Sequence, residues 1–359
     1  MRTPLYAPLD DALDEIAPYG IELKNGNSNH APMVAEVLCA LGHPEAVTPW
    51  VARYRERMQL RPAPGKPIRG GEWRVALGRR DRFADWALFF TAELEDAPWG
   101  AVLDRWVGRL ASGFCAAATH GPIRVGHAVR GLAERETASR RRELADALAG
   151  WAATWQQLPA SGANTNGIEA PHERMPPREA ITRVPIVPAE RRLPGNIVQA
   201  LAILGDFPAF TPIVDAIDTT GPVAPQIAEL TALFARVFLA NAHDIPTTIA
   251  FIHAVTSHAA LGNIAPFVGE ATARAALRYA WQSGCALYAC YGGDRAVAET
   301  IAATDAGEDG LVERALKNGD EHVIKFTEAC LSRHAIAPSP AYLAAADHVA
   351  LMIRPRRAG

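Results

Sequence analysis

Aromatic residues supply only 7% of this 359-residue chain, cysteine occurs five times, and neither sign of charge prevails. Each scarcity removes a class of protein. Thirty-six Lys and Arg against 39 Asp and Glu leave a net charge of −3, so no electrostatic footprint for nucleic acid or an anionic membrane is present. The cysteines (Cys39, Cys115, Cys285, Cys290, Cys330) are odd in number and never spaced C-x-x-C, which excludes a secreted disulfide framework. They read as buried thiols of a reduced, cytoplasmic protein. No apolar run approaches the roughly 20 residues of a membrane span, and the N-terminal text MRTPLYAPLDDALDEI lacks the apolar core of a signal peptide. No G-x-G-x-x-G follows a strand, and no P-loop, G-x-S-x-G or H-E-x-x-H occurs. Nothing therefore points to a flavin or dinucleotide domain.

What is present is helical text. Asp81–Leu94, Trp99–Ala118, Thr137–Leu158, Gln226–Asn241, Ile245–Leu261, Ala271–Tyr291, Leu311–Lys317, His322–His334 and Pro340–Ile353 carry apolar residues at helical period. Gly42 and Gly262 follow apolar periods as terminators, and Pro32 and Pro340 stand near starts. Arg140-Arg141-Arg142 reads as a solvated helix face. Trp73–Leu77 and Ile181–Val187 are the two short strand candidates, the second limited to an edge or loop by Pro185. Seven prolines between Pro159 and Pro194 mark a long loop, read as an ordered rim over a site. The expected fold is all-α: one domain over 1–359, with similar halves 1–158 and 195–359 joined by the Pro-rich loop 159–194 around a buried metal site. The halves rest on a weak repeat, in which Leu41-Gly42 and Thr48-Pro49 recur as Leu204-Gly205 and Thr211-Pro212.

Histidine placed in apolar text is the chemical signal. His30 stands at a helix entrance, His120 and His127 flank a helix break, His253 and His258 lie in Phe251–Leu261, and His322 precedes Lys325 by three residues. A lone histidine on an apolar face is commonly a satisfied core residue. Several from separate helices can instead converge on a metal, because neutral imidazole is the commonest ligand. Lys325 shares a helix face with His322. It either snorkels to the surface, or is buried with a depressed pKa. As a neutral amine it could take up carbon dioxide and become an anionic carbamate ligand.

Four segments give these residues a context: Asn29-His30-x-Pro32-Met33 with Ala40-Leu41-Gly42; His120-Gly121-x-Ile123-Arg124-x-x-His127-Ala128-Val129; Phe251-Ile252-His253-Ala254-Val255-Thr256; and His322-x-Ile324-Lys325-x-x-Glu328-Ala329. In this order they resemble the questin oxidase-like family, which includes fungal enzymes that open anthraquinone rings oxidatively in polyketide biosynthesis. The resemblance implies a flavin-independent oxygenase with non-haem Fe(II), an aromatic or quinone substrate and O2, and an external reductant such as NADPH. Carried over, His30, His120, His253 and His322 become metal ligands and Lys325 the carboxylated-lysine ligand. His127 is the reserve ligand and, with Arg124, a candidate for catalysis. Arg124 could steer a phenolate or carbonyl oxygen, or form a surface ion pair. Fungal members carry more histidines in the second segment, and Arg124 occupies one such place here, so the substrate need not be the same. Trp86, Phe90, Met33 and Phe251 are candidates to pack the substrate, with core packing as their other reading. A zinc hydrolase, lacking only an evident carboxylate base, and a non-catalytic helical binding protein are the rival readings.

Overall fold

In the computed structural model, which describes residues 2–69, 71–160 and 174–355, helices occupy nearly all the regular structure. The first stretch contains α1 (Leu9–Ile16), α2 (Ala31–Ala40), α3 (Val47–Arg55) and the single turn α4 (Trp73–Ala76). Next come α5 (Phe83–Asp96), α6 (Trp99–Leu110), α7 (His120–Glu134) and α8 (Ala138–Ala153). Two short helices, α9 (Pro177–Ala180) and α10 (Ile197–Leu201), lead to α11 (Val223–Asn241), α12 (Ile245–Ile264) and α13 (Glu270–Tyr291). The chain closes with α14 (Glu308–Asn318), α15 (Glu321–Ile336) and α16 (Pro340–Met352). The all-α expectation holds, and one hydrophobic core runs from Leu9 to Ile353.

Both strand expectations fail. Trp73–Ala76 is helical because its buried residues, Trp73 and Ala76, are three apart, whereas Val75 between them is 77% exposed. Ile181–Arg183 is a 3-10 turn, and of the extended stretch after it Val187 N–H donates to the Ala289 carbonyl. The strands that do form are β1 (Tyr19–Leu23) and β2 (Met58–Leu60), antiparallel with Tyr19 opposite Leu60 and Leu23 opposite Met58. Their burial does not alternate cleanly, so they carry no period-2 signal. Of the Pro-rich loop, 161–173 lie outside the described residues, and so does the reading of that part as a rim. A further difference concerns α11, which is by length and composition apolar enough to cross a bilayer, with mean hydropathy 1.4. It packs against α12, α13 and α16.

The arginine run is not a solvated face. Arg140 is buried, with Nε donating to Asp10 Oδ1 (2.9 Å) and Nη1 to the Gly131 carbonyl (2.9 Å). Arg141 and Arg142 stay half-buried, each on one acid at the surface (Glu136 and Asp14) and one carbonyl (Leu94 and Leu13).

Three contacts position the site. First, α7 lies directly on α12: a Cβ on Gly126 would come within 2.8 Å of both the Cβ and the carbonyl oxygen of Ala260. Only glycine allows that approach. Second, α2 packs on α7 and α15, so the N-terminal and C-terminal segments meet at one place. Third, α12 starts at a capping box, Thr247 N–H donating to Asp244 Oδ1 (2.9 Å), which fixes where its buried face begins.

That buried face of α12 also holds His258, away from the other histidines. Its Nδ1 donates to the Ala254 carbonyl (2.6 Å), its ring stacks on Phe234 (4.6 Å), and its Nε2 is buried without a partner among the described residues. Burial pushes its pKa down to about 4, the carbonyl bond only partly opposing this. The unfolded chain therefore binds the extra proton first as pH falls below about 6.5. Stability linked to His258 is complete above that pH and lost down to pH 4. Between these limits the parent should lose about 3 kcal/mol more than a His258→Phe variant in denaturant titrations. Parallel curves would show that His258 is not held neutral.

Candidate metal centre

His120 opens α7 directly after three consecutive left-handed residues, Ala117 (φ 48°), Ala118 (φ 57°) and Thr119 (φ 70°). None is glycine, and a β-branched residue in this region is a genuine outlier. Each costs on the order of 1–2 kcal/mol, so the surrounding packing must hold the turn. The turn places the Ala117 carbonyl 2.5 Å from His120 Nδ1. A carbonyl only accepts, so Nδ1 carries the hydrogen and Nε2 is left as a bare lone pair.

The same logic fixes two more rings. His253 Nδ1 donates to the Ile249 carbonyl one turn back (2.7 Å). His322 Nδ1 donates to Asp320 Oδ1 (3.0 Å), and the same oxygen caps α15 by accepting the His322 backbone N–H (2.9 Å). All three rings thus turn Nε2 away from a fixed acceptor, the outer-shell arrangement that orients metal-bound imidazoles. His30 stands at the N-cap of α2, held by its N–H donating to the Tyr54 hydroxyl (3.1 Å). Asn29 beside it accepts from Ala31 N–H and donates to the Gly20 carbonyl, tying the start of α2 to β1.

These rings converge. His120 Nε2 lies 2.8 Å from His30 Nε2 and 3.2 Å from His253 Nε2. The His322 ring is edge-on to His30 at 4.7 Å and to His253 at 5.9 Å between centroids. Burial is the first cause that keeps His30, His120 and His253 neutral, with neighbouring Lys325 and the other rings adding to it. His253 is lowered to about 3, and His30 and His120 lie well below the usual range. The His120–His253 contact is therefore two unprotonated nitrogens facing each other. Nitrogens about 3 Å apart are what two imidazoles bound to one ion at roughly 2.1 Å and near right angles would show. The donor set fits a divalent cation.

One member of the site escaped the sequence reading. Glu321 is buried, and a carboxylate oxygen of it falls with ring nitrogens of His30 and His322 in a group whose atoms all lie within 4.8 Å. In sequence, Asp320-Glu321 reads as an acidic helix start, so the only available signal was its adjacency to His322. Lys325 is buried, as its second reading held, with Nζ 3.9 Å from Met33 Sδ. Burial lowers its pKa to about 8, against the opposing pull of Glu321 and Asp320.

The remaining candidates divide. His127 lies on α7 with His120, but its Nδ1 binds Glu36 Oε2 (2.8 Å), and it does not join the cluster. Glu36 also accepts from Tyr6 and twice from Arg130, whose guanidinium reaches Glu328 as well. Arg124 is buried rather than superficial, its Nε and Nη2 forming a two-point pair with Glu143 (2.7 and 2.8 Å). Its Nη1 is buried and unpartnered among the described residues. Arg124, His120, Met33, Asn29, Ser28 and Ile21 line a narrow cleft that reaches the cluster through His120. Met33 thus touches both the cleft and Lys325. Trp86 and Phe90 instead pack with Trp106 in an aromatic core, and Phe251 is wholly buried; none of these three lines the cleft.

No curated protein matches the chain. The questin oxidase-like family matches residues 27–330, a span that contains all four histidine segments. Such a family implies an oxidoreductase with a small-molecule substrate and O2. The chain belongs to the questin oxidase-like family.

Proposed function

We propose that the protein is a non-haem iron oxygenase acting on an aromatic or quinone substrate of polyketide type. The observation that carries this reading is the meeting of His120 and His253, whose Nδ1–H groups are fixed on carbonyls while their bare Nε2 atoms face each other, with the His30 and His322 rings packed against them. His30, His120, His253 and His322 would hold Fe(II), which suits imidazole and oxygen ligands. Bound there, the iron would supply the O2 activation that a flavin supplies elsewhere. An insertion of one oxygen atom would also draw two electrons from a reductant such as NADPH, whereas insertion of both atoms would not.

The chain's own residues have definable tasks. Arg124, held by Glu143, offers its spare Nη1–H to a phenolate or carbonyl oxygen entering the cleft. Met33 and Ile21 give that substrate an apolar wall. Buried Lys325, as the free amine, would add CO2 at Nζ, releasing one proton and leaving a carbamate oxygen anion toward the histidines. Lys325→Ala should then empty the site, and bicarbonate with acetate should partly refill it, as read by metal analysis. Full metal content in that variant would remove Lys325 from the ligand set.

Glu321 favours a second reading. Two histidines and a glutamate form a recurrent zinc hydrolase ligand set, with the catalytic base still unassigned. Metal analysis combined with O2 uptake on anthraquinone and phenol substrates separates the two. Iron with substrate-dependent uptake supports the oxygenase; stoichiometric zinc without uptake supports the hydrolase.

A further inference from the structure

A second opening, of about 550 Å³, lies away from the histidines among α11, α12, α13, α15 and α16. Ile227, Gly262, Val268, Ile336 and Tyr342 furnish apolar wall, and Arg333 is the cationic side chain that lines it. Arg333 follows Lys325 by eight residues on α15, and Gly262 follows His253 by nine on α12. At about 1.5 Å per residue the opening sits roughly 12–14 Å along those helices from the cluster. A ligand there would not touch the metal centre.

Arg333 is incompletely satisfied. Nη2 donates to Asn263 Oδ1 (2.8 Å), while Nε is buried with no acceptor among the described residues. None of the ion pairs among those residues includes Arg333. Glu328, on the same helix, is taken by Arg130, and Glu270 at the edge of the opening is paired with Arg274. Burial lowers the guanidinium below its ordinary range, Glu328 partly opposing this. A half-buried cation with no ion-pair partner carries a desolvation cost.

The sequence makes room for this arrangement. Gly262 was expected to terminate a helix, but it lies inside α12. A Cβ there would come 2.2 Å from Arg333 Nη1, so a larger residue would push the guanidinium aside. Mid-helix glycine costs about 1 kcal/mol relative to alanine, and here it keeps the cation against the opening.

We propose that this opening binds a small monocarboxylic acid with a hydrocarbon body, its carboxylate on Arg333 and its chain along the apolar wall. A planar two-oxygen anion matches the fork of a guanidinium, and the wall excludes a polyanion. The site is independent of whether the histidines hold a metal.

Calorimetric titration of the full-length protein with decanoate tests it. Saturable one-to-one binding is expected, weakened at least tenfold by Arg333→Gln and by replacing decanoate with 1-decanol. Arg333→Lys should recover part of the affinity, and thermal unfolding of each variant checks that it is folded. Because a carboxylate could also reach the histidines, the titration is repeated in His120→Ala, where binding should persist. No saturable binding, an Arg333→Gln affinity within twofold of the parent, or binding lost in His120→Ala would each overturn the assignment.

Discussion

Replacing His120 by alanine is expected to lower metal affinity by roughly 100-fold or more, which in practice means protein purified without bound metal. Removing only an outer-shell partner of a ligand costs about 10–100-fold, and His120 is closer to the centre than that. It is the ring through which His30 and His253 meet, at 2.8 and 3.2 Å. Its place also depends on three left-handed residues that only a packed environment sustains. His127→Ala is the internal comparison, since His127 lies on the same helix but turns to Glu36. It should weaken the fold yet leave the metal in place. Equal metal loss in both variants, measured by metal analysis of folded protein, would show that α7 merely needs its histidines for packing.

The second large effect is expected at Glu36. Its carboxylate is buried and accepts from Tyr6 (2.7 Å), from His127 (2.8 Å) and from Arg130 through two nitrogens (both 2.6 Å). Truncating one member of such a buried network leaves the others desolvated. Glu36→Ala should therefore cost about 3–5 kcal/mol in denaturant unfolding. A pH signature accompanies it. Burial alone would raise the Glu36 pKa, but Arg130 and the hydrogen bonds carry it down to about 2. A carboxylate lowered in this way contributes stability that is complete above about pH 4.5 and is lost as pH falls toward 2. Glu36→Gln should flatten that part of the acid limb. Since Glu36 is six residues beyond His30 on α2, metal content should fall along with stability. A loss under 1 kcal/mol would mean the network is solvated.

The long helices were legible because apolar residues recur through three or more turns, as in α12, α13 and α15. The histidine segments were legible because imidazole in apolar text is chemically out of place. Other features were hidden for specific physical reasons. Ala117–Thr119 contains no glycine to announce positive φ, so the strained turn before His120 has no local signature. Glu321 sits where acids ordinarily favour a helix N-terminus, and its ligand-like position emerges only when α2 brings His30 to it. Arg140 belongs to a run of three arginines, and only Asp10, 130 residues away, explains why that one is buried. Trp86 and Phe90 are core residues by first reading, with substrate packing as the alternative. Their partner Trp106 decides for the core, and that pairing is long-range in sequence.

Anomalous scattering at the iron edge, from crystals of protein purified with iron, bears most directly on the metal centre. One peak within bonding distance of Nε2 of His30, His120, His253 and His322 is the predicted result. Full iron occupancy at any other place, or no iron peak beside those four rings in iron-loaded protein, would contradict it.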